Sequence, residues 1–171
     1  FPICMPLMLD PFITFPFISN RSLNLAVDLD SVCPKLARVK IPPHHPRLIQ
    51  VPSKPGTYVL IEDLIGCHLQ SLFPGVDILG WHTFRVIRDA DIEIREIEAA
   101  DLIDAVEETL RLRRFGDPVL LEIDEGTPKH WIRHLRDNLK LDQEDVITVK
   151  GRIGYEFLWE MSQFDQPGLK F

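Results

Sequence analysis

Between Leu23 and Leu29 the chain alternates, with Leu23, Leu25, Val27 and Leu29 set against Asn24, Ala26 and Asp28. A period of two places each set on one face of an extended backbone, so the segment predicts a half-buried strand. A second strand is expected from Leu36 to Ile41, and Asp30, Ser31 and Pro34 supply the turn that closes an antiparallel hairpin. Pro42, Pro43, Pro46, Pro52 and Pro55 then fix φ and remove ladder donors, which predicts a stiff connection. A short third strand is expected from Thr57 to Ile61.

At Glu62 the period changes. Leu64, Ile65, His68, Leu69, Leu72 and Phe73 recur at helical spacing, acids open the run, and Pro74 and Gly75 stop it. Trp81 to Arg88 returns to strand composition, and the alternation of Ile92 and Ile94 extends that expectation through Asp89 to Glu96. A helix is predicted from Glu98 to Arg114, with acids early, Arg111, Arg113 and Arg114 late, and Gly116 as the residue that ends it. Val119 to Ile123 reads as a strand. Thr127 and Pro128 read as N-cap and first residue of a helix carrying Trp131, Ile132, Leu135 and Leu139. A last strand at Val146 to Val149 and a short helix at Glu156 to Gln163 complete an α+β expectation: a mixed sheet with an N-terminal β-hairpin and three to four helices packed mainly on one face.

The 171 residues, 45% hydrophobic and 26% charged, suit one domain covering 1–171. A net charge of −7 argues against nucleic acid and anionic lipid as partners, since like charges repel. No run of about 18 apolar residues is present, and Pro2, Pro6, Pro11 and Pro16 break the apolar start, so a protein without a transmembrane segment is expected. Cys4, Cys33 and Cys67 share no metal-ligand spacing, which suits a reducing, cytoplasmic compartment. The apolar opening at Phe1 is read as that of a domain cut from a longer chain.

Chemistry-bearing patterns are sparse. The nine glycines form no phosphate-binding loop, and no Ser or Cys stands recognisably with a His and an acid for nucleophilic catalysis. His130 and His134 are four apart on a predicted helix, but HWIRH lacks the glutamate of the zinc proteases, so a solvated face is the plainer reading. His44 and His45 are expected in a solvated loop and His68 as a buried or half-buried histidine. The acids Asp89, Asp91, Glu93, Glu96, Glu98, Asp101 and Asp104 could serve Mg²⁺, yet such acids along a strand and opening a helix are a usual solvated face. Arg111, Arg113 and Arg114 suit both a helix C-terminus and bidentate phosphate binding. Arg85 and Arg88 are expected on opposite faces of their strand.

Several segments carry a family resemblance: FPFISNRSLNLAVDL at Phe15 to Leu29, LARVKIP at Leu36 to Pro42, YVLIEDLI at Tyr58 to Ile65 and LFPGVDILGWHTFRVIRDADIEI at Leu72 to Ile94. LRLRRFGDPVLLEID at Leu110 to Asp124, DVITVKGRIG at Asp145 to Gly154 and QPGLKF at Gln166 to Phe171 continue the series. In this order they resemble the head or middle domain of the long, ATP-dependent polyphosphate kinases, over essentially the whole chain. Arg21, where that family usually has an apolar residue, and Arg152, where Leu or Pro is common, depart from the pattern.

The resemblance implies a parent enzyme that moves the γ-phosphate of ATP onto inorganic polyphosphate through a phosphohistidine, with Mg²⁺, in the cytoplasm or peripheral to the inner membrane. It implies that an N-terminal helical domain and C-terminal catalytic domains lie outside these residues. No catalytic, cofactor-binding or metal-ligating residue is carried over onto the chain. Its expected role is architectural, contacting the remaining domains and the other subunits of a homo-oligomer. The alternative is a polyphosphate-binding module built on Arg111, Arg113, Arg114, Arg38 and Lys40, with an unrelated enzyme as a distant third.

Overall fold

A computed structural model describes residues 4, 6–9, 14–30, 35–89 and 116–164. In chain order the elements are β1 (Pro6–Leu9), β2 (Leu23–Leu29), β3 (Lys35–Lys40), β4 (Leu48–Gln50), β5 (Tyr58–Leu60) and α1 (Ile61–Cys67). A 3-10 turn at Leu69–Ser71 leads to β6 (Ile78–Arg88) and β7 (Pro118–Asp124). Helix α2 (Lys129–Leu139), a 3-10 turn at Gln143–Asp145, β8 (Val146–Val149) and α3 (Phe157–Ser162) follow. The expected helix at 98–114, the acidic run beyond Asp89, and Cys33 lie outside the described residues.

Six strands form one sheet in the order β1-β3-β2-β6-β7-β8, and β4 pairs with β5 in a separate two-stranded sheet. Every pairing is antiparallel except β7 with β8. The parallel pair is joined through α2, as parallel strands require a crossover. The hairpin is present as β2 and β3, and the fold is α+β with a mixed sheet.

Among the described helices, α1 and α2 pack on opposite faces of the six-stranded sheet. Leu25, Val27 and Leu29 of β2 pack with Ala37, Val39, Ile61, Ile65, Leu69 and Phe73. Ala26, of opposite parity, packs with Leu36, Phe84, Val86, Leu121, Ile123, Trp131, Leu135 and Leu139. Alternation along β2 therefore sends α1 to one face and α2 to the other. The strand expected to be half-buried is covered on both sides. Ala26 is small enough to sit under α2, and Asn24, fully buried, has its amide oxygen satisfied by Arg38 Nε at 2.8 Å.

Local departures have physical causes. Pro6 tolerates strand β1 because β1 is a sheet edge, paired on one side only. The helix expected from Glu62 to Phe73 ends at Cys67, His68 leaves helical geometry (φ −115°, ψ 13°), and the chain tightens into the 3-10 turn. His68 is thereby exposed rather than buried, its Nδ1 2.8 Å from the Leu64 carbonyl. Gly66 is required where α1 crosses β6: a Cβ there would overlap the Trp81 indole. At α2 the cap shifts by one residue. Pro128 has ψ 134°, an extended value that makes it the N-cap, and its carbonyl accepts from Trp131 N and Ile132 N at 2.9 and 3.2 Å.

Candidate functional site

Arg47, directly after Pro46, reaches four separate parts of the chain. Its Nη2 meets Glu62 Oε1 at 2.6 Å and its Nε meets Oε1 and Oε2 at 3.1 and 3.2 Å. Glu62, in the first turn of α1, is wholly buried, and the two-point fork is the geometry in which a buried carboxylate is best matched. Arg47 also donates from Nη2 to the Ile153 carbonyl at 2.7 Å and from Nη1 to the Gly154 carbonyl. Its guanidinium lies 4.9 Å from the centre of the Phe157 ring. Glu160 of α3 accepts from the backbone N–H groups of Arg47 and Leu48, both at 3.0 Å.

A second ion-pair group stands beside this clamp. Arg85 of β6 donates from Nε to Glu122 of β7 and from Nη1 to Glu156, each at 2.5 Å. Burial lowers the Arg85 pKa, but the bonds and charges of Glu122 and Glu156 outweigh it and hold the group above its ordinary value. Partial burial likewise pushes the Glu156 carboxyl up, while its own backbone N–H and the Arg85 charge pull it further down, below its ordinary range. Gly154, at φ +68°, lies where a Cβ would press on Glu156 and Arg85.

Between these two groups opens a cleft of about 400 Å³. Its apolar wall includes Leu23, Ile41, Ile61, Ile153 and Phe157, and its polar rim is Arg21, His45, Arg47, Arg85, Glu156 and Glu160. Arg21 holds a left-handed backbone, φ 56°, that a non-glycine residue seldom adopts.

On the α2 face a different set of cations gathers. Arg38 is 4% exposed and donates to Asn24 Oδ1 and, from Nη1, to the Phe17 carbonyl at 3.1 Å. Lys40 Nζ donates to Ser19 Oγ at 2.7 Å, and Arg88 donates to the Ile18 and Gly116 carbonyls at 2.7 and 2.8 Å. Burial lowers all three pKa values; Arg38 lowers Lys40 further, and Asp117 partly offsets the effect at Arg88. These cations fasten the segment 17–19 across the sheet. Arg85 and Arg88, expected on opposite faces, serve these two separate networks.

Arg38 and Lys40 are thus brought together, whereas Arg111, Arg113 and Arg114 lie outside the described residues. His130 and His134 flank Trp131, with ring centres 4.5 and 6.0 Å from it. Among the described residues no group of three or more His, Cys, Asp or Glu is placed to hold a metal ion, and no helix is long and apolar enough to cross a membrane. Arg152, a departure noted in the sequence, forks onto Asp63 with both bonds at 2.7 Å.

The outer side of the C-terminal helix was not anticipated. Tyr155, Leu158, Trp159 and Met161 are 59%, 50%, 75% and 47% exposed, a run of large apolar groups on and just before α3. A signal existed: Phe157, Leu158, Trp159 and Met161 point around a six-residue helix, more than one buried stripe can absorb.

This domain, a mixed sheet covered on both sides and fastened on each face by arginines, matches known proteins throughout. The sequence profile of the polyphosphate kinase middle domain matches residues 1–161. The polyphosphate kinase of Streptomyces coelicolor is 39% identical over 174 residues, covering 100% of this chain and 23% of that protein. Polyphosphate kinase 1 of Chlorobaculum tepidum is 40% identical over 181 residues, covering 99% and 26% respectively. The crystal structure of polyphosphate kinase from Porphyromonas gingivalis shares the fold with a TM-score of 0.70 at 22% identity, over 98% of this chain and 24% of that one. The chain belongs to the polyphosphate kinase middle-domain family. It spans about a quarter of the length of these relatives.

Two outcomes follow from the clamp and its neighbour. Arg47→Ala leaves Glu62 buried without its partner and should cost about 3–5 kcal/mol in chemical denaturation, whereas Arg47→Met with Glu62→Leu should cost clearly less. Equal losses would show that the pairing itself is not what matters. For Glu156, a pKa held down in the folded chain adds stability above its ordinary value of 4.5 that is lost as pH falls through the folded value. Melting curves of Glu156→Gln should therefore lie below those of the native chain at neutral pH and converge with them below pH 4.5, and a constant gap would contradict this.

Proposed function

We propose that this chain is an architectural module of a polyphosphate kinase, without catalysis of its own, that seats the remaining domains and a second subunit on the outer side of α3. The observation that carries the reading is the exposed apolar run of Tyr155, Leu158, Trp159 and Met161. Such a strip costs solubility when bare and is the usual composition of a buried contact. The parent is read as a phosphotransferase, in the cytoplasm or peripheral to the inner membrane, that uses ATP and Mg²⁺ and extends polyphosphate. Its catalytic groups are assigned to domains outside these residues.

The test pairs the chain with its parent. Trp159→Asp should leave the melting of the isolated chain within about 0.5 kcal/mol, as surface changes do, while the parent loses both subunit assembly and activity. The isolated chain should turn over no ATP. Turnover by the chain, or an unaffected parent, would remove the architectural reading.

A second reading is favoured by the three cations Arg38, Lys40 and Arg88, none of which is hydrogen-bonded to a carboxylate among the described residues. With Arg111, Arg113 and Arg114 they would offer a polyphosphate chain local positive charge on an otherwise acidic protein. Binding of labelled polyphosphate should then weaken as salt rises and fall on Arg113→Ala with Arg114→Ala. Unchanged affinity in that double variant excludes the named helix end.

A further inference from the structure

The cleft beside Arg47 has the features of a ligand site, and nothing in the architectural reading uses it. Its volume of about 400 Å³ falls in the range of small-molecule pockets. Most of its charge is already committed. Arg47 is taken by Glu62 and by the Ile153 and Gly154 carbonyls, and Arg85 by Glu122 and Glu156. Glu160 is taken by the Arg47 and Leu48 backbone. Arg21 is the cation left over: its side chain makes no hydrogen bond or ion pair among the described residues, and it lines the mouth. Behind it stand Leu23, Ile41, Ile61, Ile153 and Phe157, with Pro42 at the edge.

We infer that this cleft binds a small organic anion, a carboxylate or phosphate held by the Arg21 fork and carried on an aliphatic or aromatic body that covers the apolar wall. Both halves of the ligand are required by the walls. A bare multivalent ion would leave the apolar surface wet and would face Glu156 and Glu160, whereas a neutral apolar molecule would forgo the charge-assisted bond that Arg21 at the mouth can donate. Arg85 and Arg47 have the positioning task of holding Glu156 and Glu160 back from the centre of the cleft.

The experiment titrates the 171-residue chain with phenylacetate, phenyl phosphate, inorganic phosphate and benzyl alcohol, followed by NMR. At least one aromatic anion should saturate a single site and shift the resonances of Ile41, Ile61 and Phe157, and which of the two does so separates a carboxylate ligand from a phosphate one. Inorganic phosphate and benzyl alcohol should bind about tenfold more weakly or less, the scale of a lost charge-assisted bond or a lost apolar contact. Arg21→Gly removes the guanidinium and relieves the positive φ, so the variant keeps its fold, which β2 and β6 amide shifts verify, and should lose binding by a similar factor. The inference is overturned if neither aromatic anion shifts these residues, if inorganic phosphate matches them, or if Arg21→Gly binds as the native chain does.

Discussion

A carboxylate in the first turn of α1 with no exposed surface is the constraint around which one end of the molecule is arranged. Burying Glu62 alone would cost more than any apolar contact nearby could return, so Arg47 must be delivered to it. The chain does this from a proline-rich stretch whose restricted φ values hold Arg47 in place beside β4. Once there, the guanidinium has donors to spare, and these collect the Ile153 and Gly154 carbonyls and so fix the approach to α3. The small sheet β4–β5 runs directly into α1 and is tied to the C-terminal segment by the Arg47 guanidinium, by Glu160 on the Arg47 and Leu48 backbone, and by Tyr58 stacked on Phe164.

The other face of the sheet is fastened by the same device with neutral partners. Arg38, Lys40 and Arg88 bond to carbonyls and a hydroxyl of the segment 17–19 rather than to carboxylates. Neutral acceptors repay less of the cost of burying a cation, which is why burial lowers the pKa of all three. Arg47 and Arg85 face carboxylates, and Arg85 moves the other way. Two faces of one sheet are therefore held by arginines in opposite electrostatic settings.

Much of the framework was legible in the sequence because it is written in local periodicity. The alternation at Leu23 to Leu29 specified the hairpin, and Trp131, Leu135 and Leu139 specified α2. The face of each helix was not legible, since Ala26 reads as the polar side of β2 although it is buried under α2. Strand β4 is three residues between prolines and carries no period. The Arg47 clamp was invisible for another reason: its partners lie 15, 106, 107 and 113 residues away, and no spacing rule connects them. Arg21 and Arg152 stood out only as departures from a family pattern. Their positions, one at the mouth of the cleft and one forked onto Asp63, required the fold.

Helix α3 joins these themes because its two sides do different things. Glu156 just before it and Glu160 within it are tied to Arg85 and to the β4 backbone, while Leu158, Trp159 and Met161 are left to solvent. A six-residue helix cannot hold itself in water, so its position rests on those acidic contacts and on Phe157 against Arg47. A partner covering Trp159 would therefore bear on a short element whose other side forms a wall of the cleft. Any displacement of α3 has to stretch the Glu156 or Glu160 bonds, and both carboxylates line that cleft. The outer strip and the inner cavity are in this way mechanically one unit, with the arginine clamp as the connection between them.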